Sequence, residues 1–163
     1  MSRRAQIRMT PDEVDALLGE ERTVVVATNG RRGWPHLMPL WYVLRPTGPD
    51  GATQLWAWTF AKSQKARNLE RDPRASLQVE AGEEYHLLRG VLLECDVVVH
   101  RDVETITGIG LEIFRRYAAA PGGELAPEVE AMVRAQAPKR VGLQFVERRR
   151  ATWDHRKLGA GVY

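Results

Sequence analysis

The segment Lys62-Ser63-Gln64-Lys65-Ala66-Arg67-Asn68-Leu69 places two lysines and an arginine at the start of a helix that directly follows an aromatic strand. Cations in that position oppose the helix macrodipole at a cost of about 0.3–1 kcal/mol each. An anion held by the free N–H groups of the first turn and by these side chains reverses the sign of that interaction. The chemistry suited to this spacing is phosphate binding. A solvated basic helix, balanced by Glu70 and Asp72, accounts for the same residues without a ligand.

A second group is Trp34, Pro35, His36, Met38, Pro39, Trp41 and Tyr42, beside Trp56 and Trp58. Planar heteroaromatic ligands favour apolar, aromatic pockets with backbone donors at their edges. Barrel cores and dimer interfaces also consume aromatics, so both uses stay open.

Other reactive arrangements fail. There is no His-Glu-x-x-His, and His36, His86, His100 and His155 are scattered without metal-ligand spacing. No serine sits in a Gly-x-Ser-x-Gly elbow. Gly108-Ile109-Gly110 begins like a dinucleotide fingerprint, but its third position is Ile113, inside a predicted helix, and the match is rejected. Glu94 and Asp96 fall on the polar side of a Val/Leu strand and read as a solvated edge. Cys95 faces the other way with Val91, Leu93 and Val97, as a core thiol. The sequence thus supports neither a metal site nor a protein nucleophile, and no catalytic residue is assigned.

The elements that must position these residues fit in one domain, residues 1–163. A mass of 18.4 kDa lets a chain bury roughly 70% of its unfolded surface. Hydrophobic residues are 44% and charged residues 28%, an ordinary globular balance. A single cysteine excludes an internal disulfide and fits a reducing compartment. No apolar stretch follows the basic start Met1-Ser2-Arg3-Arg4, and runs such as Leu40 to Leu44 are far too short to span a bilayer. The expectation is a cytoplasmic protein with no membrane partner.

Thr10-Pro11-Asp12-Glu13 predicts a helix over about 10–19. Strands are expected from Thr23 to Thr28, Pro35 to about Leu44, Leu55 to Phe60, around Ala75 to Val79, about Leu87 to His100, and from Val141 toward Trp153. Pro35 and Pro39 lack ladder donors, which puts the second strand at an edge or a bulge. Ser63 to Arg71 reads as a short helix stopped by Asp72-Pro73. A helical insertion spans about 102–137, capped by Asp102 and broken at Pro121-Gly122-Gly123. Six strands, few helices and frequent turns predict a mainly β fold, a small antiparallel barrel with flanking helices outside.

The net charge of +3 hides an uneven distribution. Lys62 to Arg74 holds five cations against two acids, and Lys139 to Lys157 seven against two. The stretch from Glu83 to Glu130 offsets them with ten acids against four cations.

Taken in order, Gly33-x-Pro35-His36-x-x-Pro39-x-Trp41-Tyr42, then Lys62-Ser63-Gln64-Lys65-Ala66-Arg67-Asn68-Leu69-x-x-Asp72-Pro73-Arg74-Ala75-Ser76-Leu77, then Leu88-x-Gly90, resemble the flavin and deazaflavin split-barrel oxidoreductases related to pyridoxamine 5′-phosphate oxidase. The resemblance runs from about Thr10 to Trp153. It implies a six-stranded antiparallel split β-barrel, homodimeric, with FMN or the deazaflavin coenzyme F-420 in grooves between subunits. It also implies hydride transfer to or from a small conjugated substrate, chemistry that needs no protein nucleophile. Carried onto this sequence, Lys65 contacts the cofactor phosphate with Ser63, Gln64 and Lys62, and Asn68 belongs to the same motif. Met38, Pro39 and Leu40 line the ring, and Thr59 sits beside the ribityl chain. Tyr85 and Trp153 approach from the partner subunit. The terminal Arg-Leu-His-Asp-Arg motif of pyridoxamine phosphate oxidase is missing, and Trp153-Asp154-His155-Arg156-Lys157-Leu158 stands there instead, which argues against that enzyme's own substrate. Lys62, Lys65 and Arg67 resemble the F-420 branch, with FMN the alternative. Two rivals are a single-stranded nucleic-acid-binding barrel, using Arg148-Arg149-Arg150, Arg156, Lys157 and Trp153, and a haem-binding split barrel with His36 as axial ligand.

Overall fold

Thr10 caps the first long helix as the sequence predicts. Its side chain accepts from the Glu13 N–H, and its own N–H donates to the Glu13 carboxylate at 2.6 Å. Two groups that the helix ladder leaves open are thereby satisfied reciprocally. The computed structural model describes residues 2–119 and 123–159. It places a four-residue helix at Arg3–Gln6 (α1), which the sequence reading lacks, and the longer one at Pro11–Glu20 (α2). Pro121 and Gly122, read above as helix breakers, lie outside the described residues.

Seven strands are present: β1 Val24–Asn29, β2 Pro35–Leu40, β3 Val43–Arg45, β4 Gln54–Phe60, β5 Arg74–Ala81, β6 Arg89–His100 and β7 Arg140–Asp154. Helix α3, Gln64–Arg71, links β4 to β5, while α4, Val103–Ala118, and α5, Pro127–Gln136, lie between β6 and β7. Every pairing is antiparallel, in the order β2-β1-β5-β6-β7-β4-β3. The two edge strands, β2 and β3, are consecutive in the chain and separated only by Trp41 and Tyr42. A sheet whose opposite edges are tied by two residues has to curl, and the result is a barrel left open between β2 and β3.

The seventh strand comes from a break in the expected second one. Pro39 offers no N–H there, and Tyr42 turns its side chain wholly inward. The Tyr42 N–H donates to the Tyr117 hydroxyl at 3.2 Å, and its carbonyl accepts from Arg116 Nη1 at 3.0 Å. Side chains of α4 thus satisfy the backbone polar groups that a continuous strand would have given to a neighbour. Pro35 and Pro39 lie on an edge strand, and the β1–β2 register is unbroken from Val24↔Leu40 to Asn29↔Pro35.

Alternation decides what fills the interior. Val24 and Val26, Leu77 and Val79, Val91, Leu93 and Cys95, and Val141, Leu143 and Phe145 all point inward. Leu17 and Leu18 of α2 enter from the end where β1 begins, and Ala66 and Leu69 of α3 join the same core. A second apolar layer forms outside, where α4 and α5 cover β3 and β4: Val43, Trp56 and Trp58 meet Ile106, Ile109, Ile113 and Val133. Gly110, half of the rejected dinucleotide pattern, lets α4 approach closely, for a Cβ there would stand 2.6 Å from the Trp58 ring and 2.8 Å from Val133.

One expectation needs correcting. Glu94 and Asp96 are not on an edge, because β6 is paired on both sides, by β5 and β7. They face outward and are exposed or half-buried because they meet arginines across the sheet, as described below.

Candidate functional site

The first turn of α3 is where the predicted phosphate residues meet. Ser63 is its N-cap, and its hydroxyl accepts from the Ala66 N–H at 3.3 Å. The same oxygen accepts from the Thr59 hydroxyl at 3.3 Å, and Thr59 in turn accepts from Lys65 Nζ at 3.2 Å. Thr59 reaches this point from β4, where alternation turns it away from Trp58. Lys65 can only donate, and the chain runs from it through Thr59 to Ser63. What is left over is a set of donors: two protons on Lys65 Nζ, the Ser63 hydroxyl proton, and the N–H groups of Gln64 and Lys65 at the helix start.

Lys65 is 7% exposed, and among the described residues no carboxylate lies within ion-pair distance of it. Burial holds its ammonium below the ordinary lysine pKa. A buried cation with only a hydroxyl for company is expensive unless something anionic is nearby. The donor set and the uncompensated charge both fit a phosphate group, and they count against a merely solvated basic helix. Lys62 and Arg67, by contrast, are exposed.

A second chain of hydrogen bonds leaves the same turn in another direction. Gln64 Nε2 donates to Asn68 Oδ1 at 2.8 Å, and Asn68 Nδ2 donates to Thr28 Oγ1 at 3.0 Å. Thr28 donates to the His36 carbonyl at a longer 3.5 Å. Asn68 is completely buried and Thr28 nearly so. This chain ends on β2 two residues before Met38. Met38 is 40% exposed, and Leu40 packs on the barrel core. By register, His36, Met38 and Leu40 share the face of Thr28, Val26 and Val24, whereas Pro39 faces the other side with Leu37. Met38 and Leu40 therefore face the barrel opening and Pro39 does not. The Nδ1 of His36 is enclosed and makes no hydrogen bond.

The aromatic group does not assemble as one pocket. Trp56 and Trp58 are buried beneath α4, on the outside of β4. Trp41 stacks on Tyr117 with centroids 4.7 Å apart and rings 10° from parallel, and Trp34 stands out in solvent. Trp153 lies against Gly90, its cross-strand partner in the same chain, where a Cβ would come within 2.2 Å of the indole. Tyr85 is exposed, 4.6 Å from the His155 ring.

The basic C-terminal segment is neutralised side chain by side chain. Arg148 pairs with Asp96 at 2.7 Å, Arg149 with Glu94 at 3.7 Å and Arg150 with Glu147 at 2.6 Å. Arg156 pairs with Asp154 at 2.7 Å, and Lys157 with Glu13 at 2.6 Å. Three of the five carboxylates, Asp96, Glu94 and Glu13, come from β6 or α2, far from these cations in sequence, while Glu147 and Asp154 belong to β7 itself. These pairings reduce the net positive charge that the run presents to a phosphate backbone. Among the described residues, no three His, Cys, Asp or Glu side chains group closely enough to hold a metal ion. No helix among them is long and apolar enough to cross a membrane.

A family model described as pyridoxamine 5′-phosphate oxidase matches residues 10–145. The chain belongs to the pyridoxamine 5′-phosphate oxidase family. Its fold recurs in solved structures. The conserved hypothetical protein Rv2991 of Mycobacterium tuberculosis is 40% identical, with 98% of this chain and 93% of that one covered at a TM-score of 0.81. An F420 reductase is 20% identical over 87% of this chain and 98% of its own, with a TM-score of 0.64. The heme storage protein HutZ of Vibrio cholerae is 16% identical, covering 85% and 90% with a TM-score of 0.63. At those last two identities the likeness is one of fold alone. No curated protein matches the chain.

Proposed function

We propose that this family member is a cytoplasmic flavin-type oxidoreductase that binds coenzyme F-420, or alternatively FMN, and passes hydride to or from a small conjugated substrate. The observation that carries the reading is Lys65, a buried ammonium surrounded by donors and without a carboxylate. Lys65, Ser63, Gln64 and Lys62, with Thr59 behind them, would hold the cofactor phosphate. Met38 and Leu40 would line its ring, and Asn68 would act from the interior. When bound, the cofactor supplies the hydride chemistry. The chain's own residues bind it, orient it and keep water from one face. Lys62 and Arg67, exposed beside the buried lysine, suit a ligand whose negative charge extends beyond one phosphate, which favours F-420.

The site would lie in a groove between two copies of the chain. β2 is an open edge, and Leu37, Met38 and Trp41 on and just after it are 57%, 40% and 48% exposed. A strand with one open edge and exposed apolar side chains is a surface that a second copy would cover.

The test is a titration of the purified protein with F-420, FMN and haemin, followed by visible absorption and tryptophan fluorescence. Micromolar binding of F-420 or FMN, lost in Lys65→Ala, is expected. Binding of haemin alone, or of neither flavin, would sink the proposal.

A further inference from the structure

Gln64 and Thr28 do not touch, yet a single side chain holds both. Asn68 is four residues after Gln64, on the same face of α3, and has no exposed surface. Its carboxamide is spent at both ends, Oδ1 on Gln64 Nε2 at 2.8 Å and Nδ2 on Thr28 Oγ1 at 3.0 Å. An interior group so placed has no exposed surface to offer a ligand. It can, however, decide how its neighbours face.

The orientation follows from the far end of the chain. The His36 carbonyl can only accept, so Thr28 must donate to it and present its oxygen toward α3. That oxygen takes a proton from Asn68 Nδ2, which leaves Asn68 Oδ1 toward Gln64. Gln64 must then answer with its own Nε2, and its Oε1 turns away from the helix. Reversing any one of these amides leaves a buried donor facing a donor or an acceptor facing an acceptor, at a cost of about 1–3 kcal/mol.

We propose that Asn68 and Thr28 are positioning residues for cofactor binding: the Thr28–Asn68–Gln64 relay sets the facing of the Gln64 carboxamide at the start of α3 and keys it to the edge strand that carries Met38. This deepens the proposed function and rests on the cofactor site assigned there. It also separates the roles within the motif, since Gln64 meets the ligand and Asn68 does not.

The test uses Thr28→Val, which keeps the volume but removes the hydroxyl, against Thr28→Ser, which keeps the hydroxyl and loses a methyl. Binding of F-420 and FMN is measured for each, alongside melting temperature. Positioning predicts about a tenfold loss of affinity in T28V, the equivalent of one oriented hydrogen bond, with T28S close to wild type. Packing alone predicts the reverse order, with T28S the weaker binder, and that result would overturn the relay. Gln64→Ala supplies a further check: in that background Thr28→Val should cost no additional affinity. Losses that simply multiply would count against the relay. Wild-type protein that binds neither cofactor would instead remove the underlying function. Wild-type binding with T28V unaffected removes this inference alone.

Discussion

Lys65 Nζ lies 3.2 Å from Thr59 Oγ1, and that hydroxyl is the partner of a lysine almost wholly shielded from water. The pair joins β4 to the first turn of α3 and leaves a positive charge unanswered inside the fold. Such a charge costs stability in the ligand-free protein and is retained only where it is used.

Lys65→Met is therefore expected to stabilise the ligand-free chain while abolishing cofactor binding. About 1 kcal/mol, or roughly 2–4 °C in melting temperature for a chain of this size, is a fair expectation. The pH dependence has a definite sign. Burial lowers the folded-state pKa of Lys65, so between that value and the ordinary lysine range the unfolded chain binds more protons, and stability rises with pH. The advantage of K65M should narrow as pH increases. Differential scanning fluorimetry from pH 6 to 10 checks this, and a less stable K65M would show that Thr59 already satisfies the lysine.

Acid should attack the end of β7. Asp154 is 2% exposed and accepts from Arg156 at three positions, its backbone N–H, Nε and Nη2. Those hydrogen bonds hold its carboxyl below the ordinary range despite burial. A depressed carboxylate contributes stability above its unfolded pKa of about 3.9 and loses it as pH falls through the lower folded value. Asp154→Asn should cost about 1.5–3 kcal/mol at pH 7 and flatten the loss of stability below about pH 4. Urea midpoints measured from pH 7 down to 3 read both effects, and parallel wild-type and mutant acid limbs would refute the assignment.

Much of this was legible in the sequence because the signals were local. Thr10-Pro11-Asp12-Glu13 and Asp102 are caps that depend on neighbours three residues away, and Ala75, Leu77 and Val79 alternate into the core as read. The start of α3, capped by Ser63, was legible for the same reason. What was missed is long-range. The break at Tyr42 depends on Arg116 and Tyr117, more than seventy residues later. Arg148 and Arg149 looked free because Asp96 and Glu94 lie on the neighbouring strand, with a bulge between Glu94 and Cys95 shifting the register. Trp56 and Trp58 looked like pocket walls until α4 covered them.

Gly110 should be intolerant of the smallest addition. On an exposed helix face, Gly→Ala would stabilise by up to about 1 kcal/mol. Here the new methyl meets the Trp58 ring and Val133, both buried, and overpacking of that kind costs about 1–3 kcal/mol. Gly110→Ala is thus expected to lower the urea midpoint, and Trp58→Leu in the same chain should recover part of the loss. A stabilised G110A would mean that α4 moves freely over β4.

Leu37 is 57% exposed and lies on the side of β2 away from the barrel interior, with Pro35 and Pro39. A charge placed there disturbs no core contact, so Leu37→Glu should fold with a melting temperature close to that of wild-type monomer. If a second copy covers β2, the same charge would have to be desolvated at the interface, a penalty large enough to weaken association at least tenfold. Sedimentation velocity at 1–50 μM should then find wild type dimeric and L37E shifted toward monomer. Cofactor affinity should fall with the dimer, because the groove is proposed to lie between the copies. Wild type that sediments as a monomer at 50 μM would remove the second copy from the site and leave α3 and β2 to bind the cofactor alone.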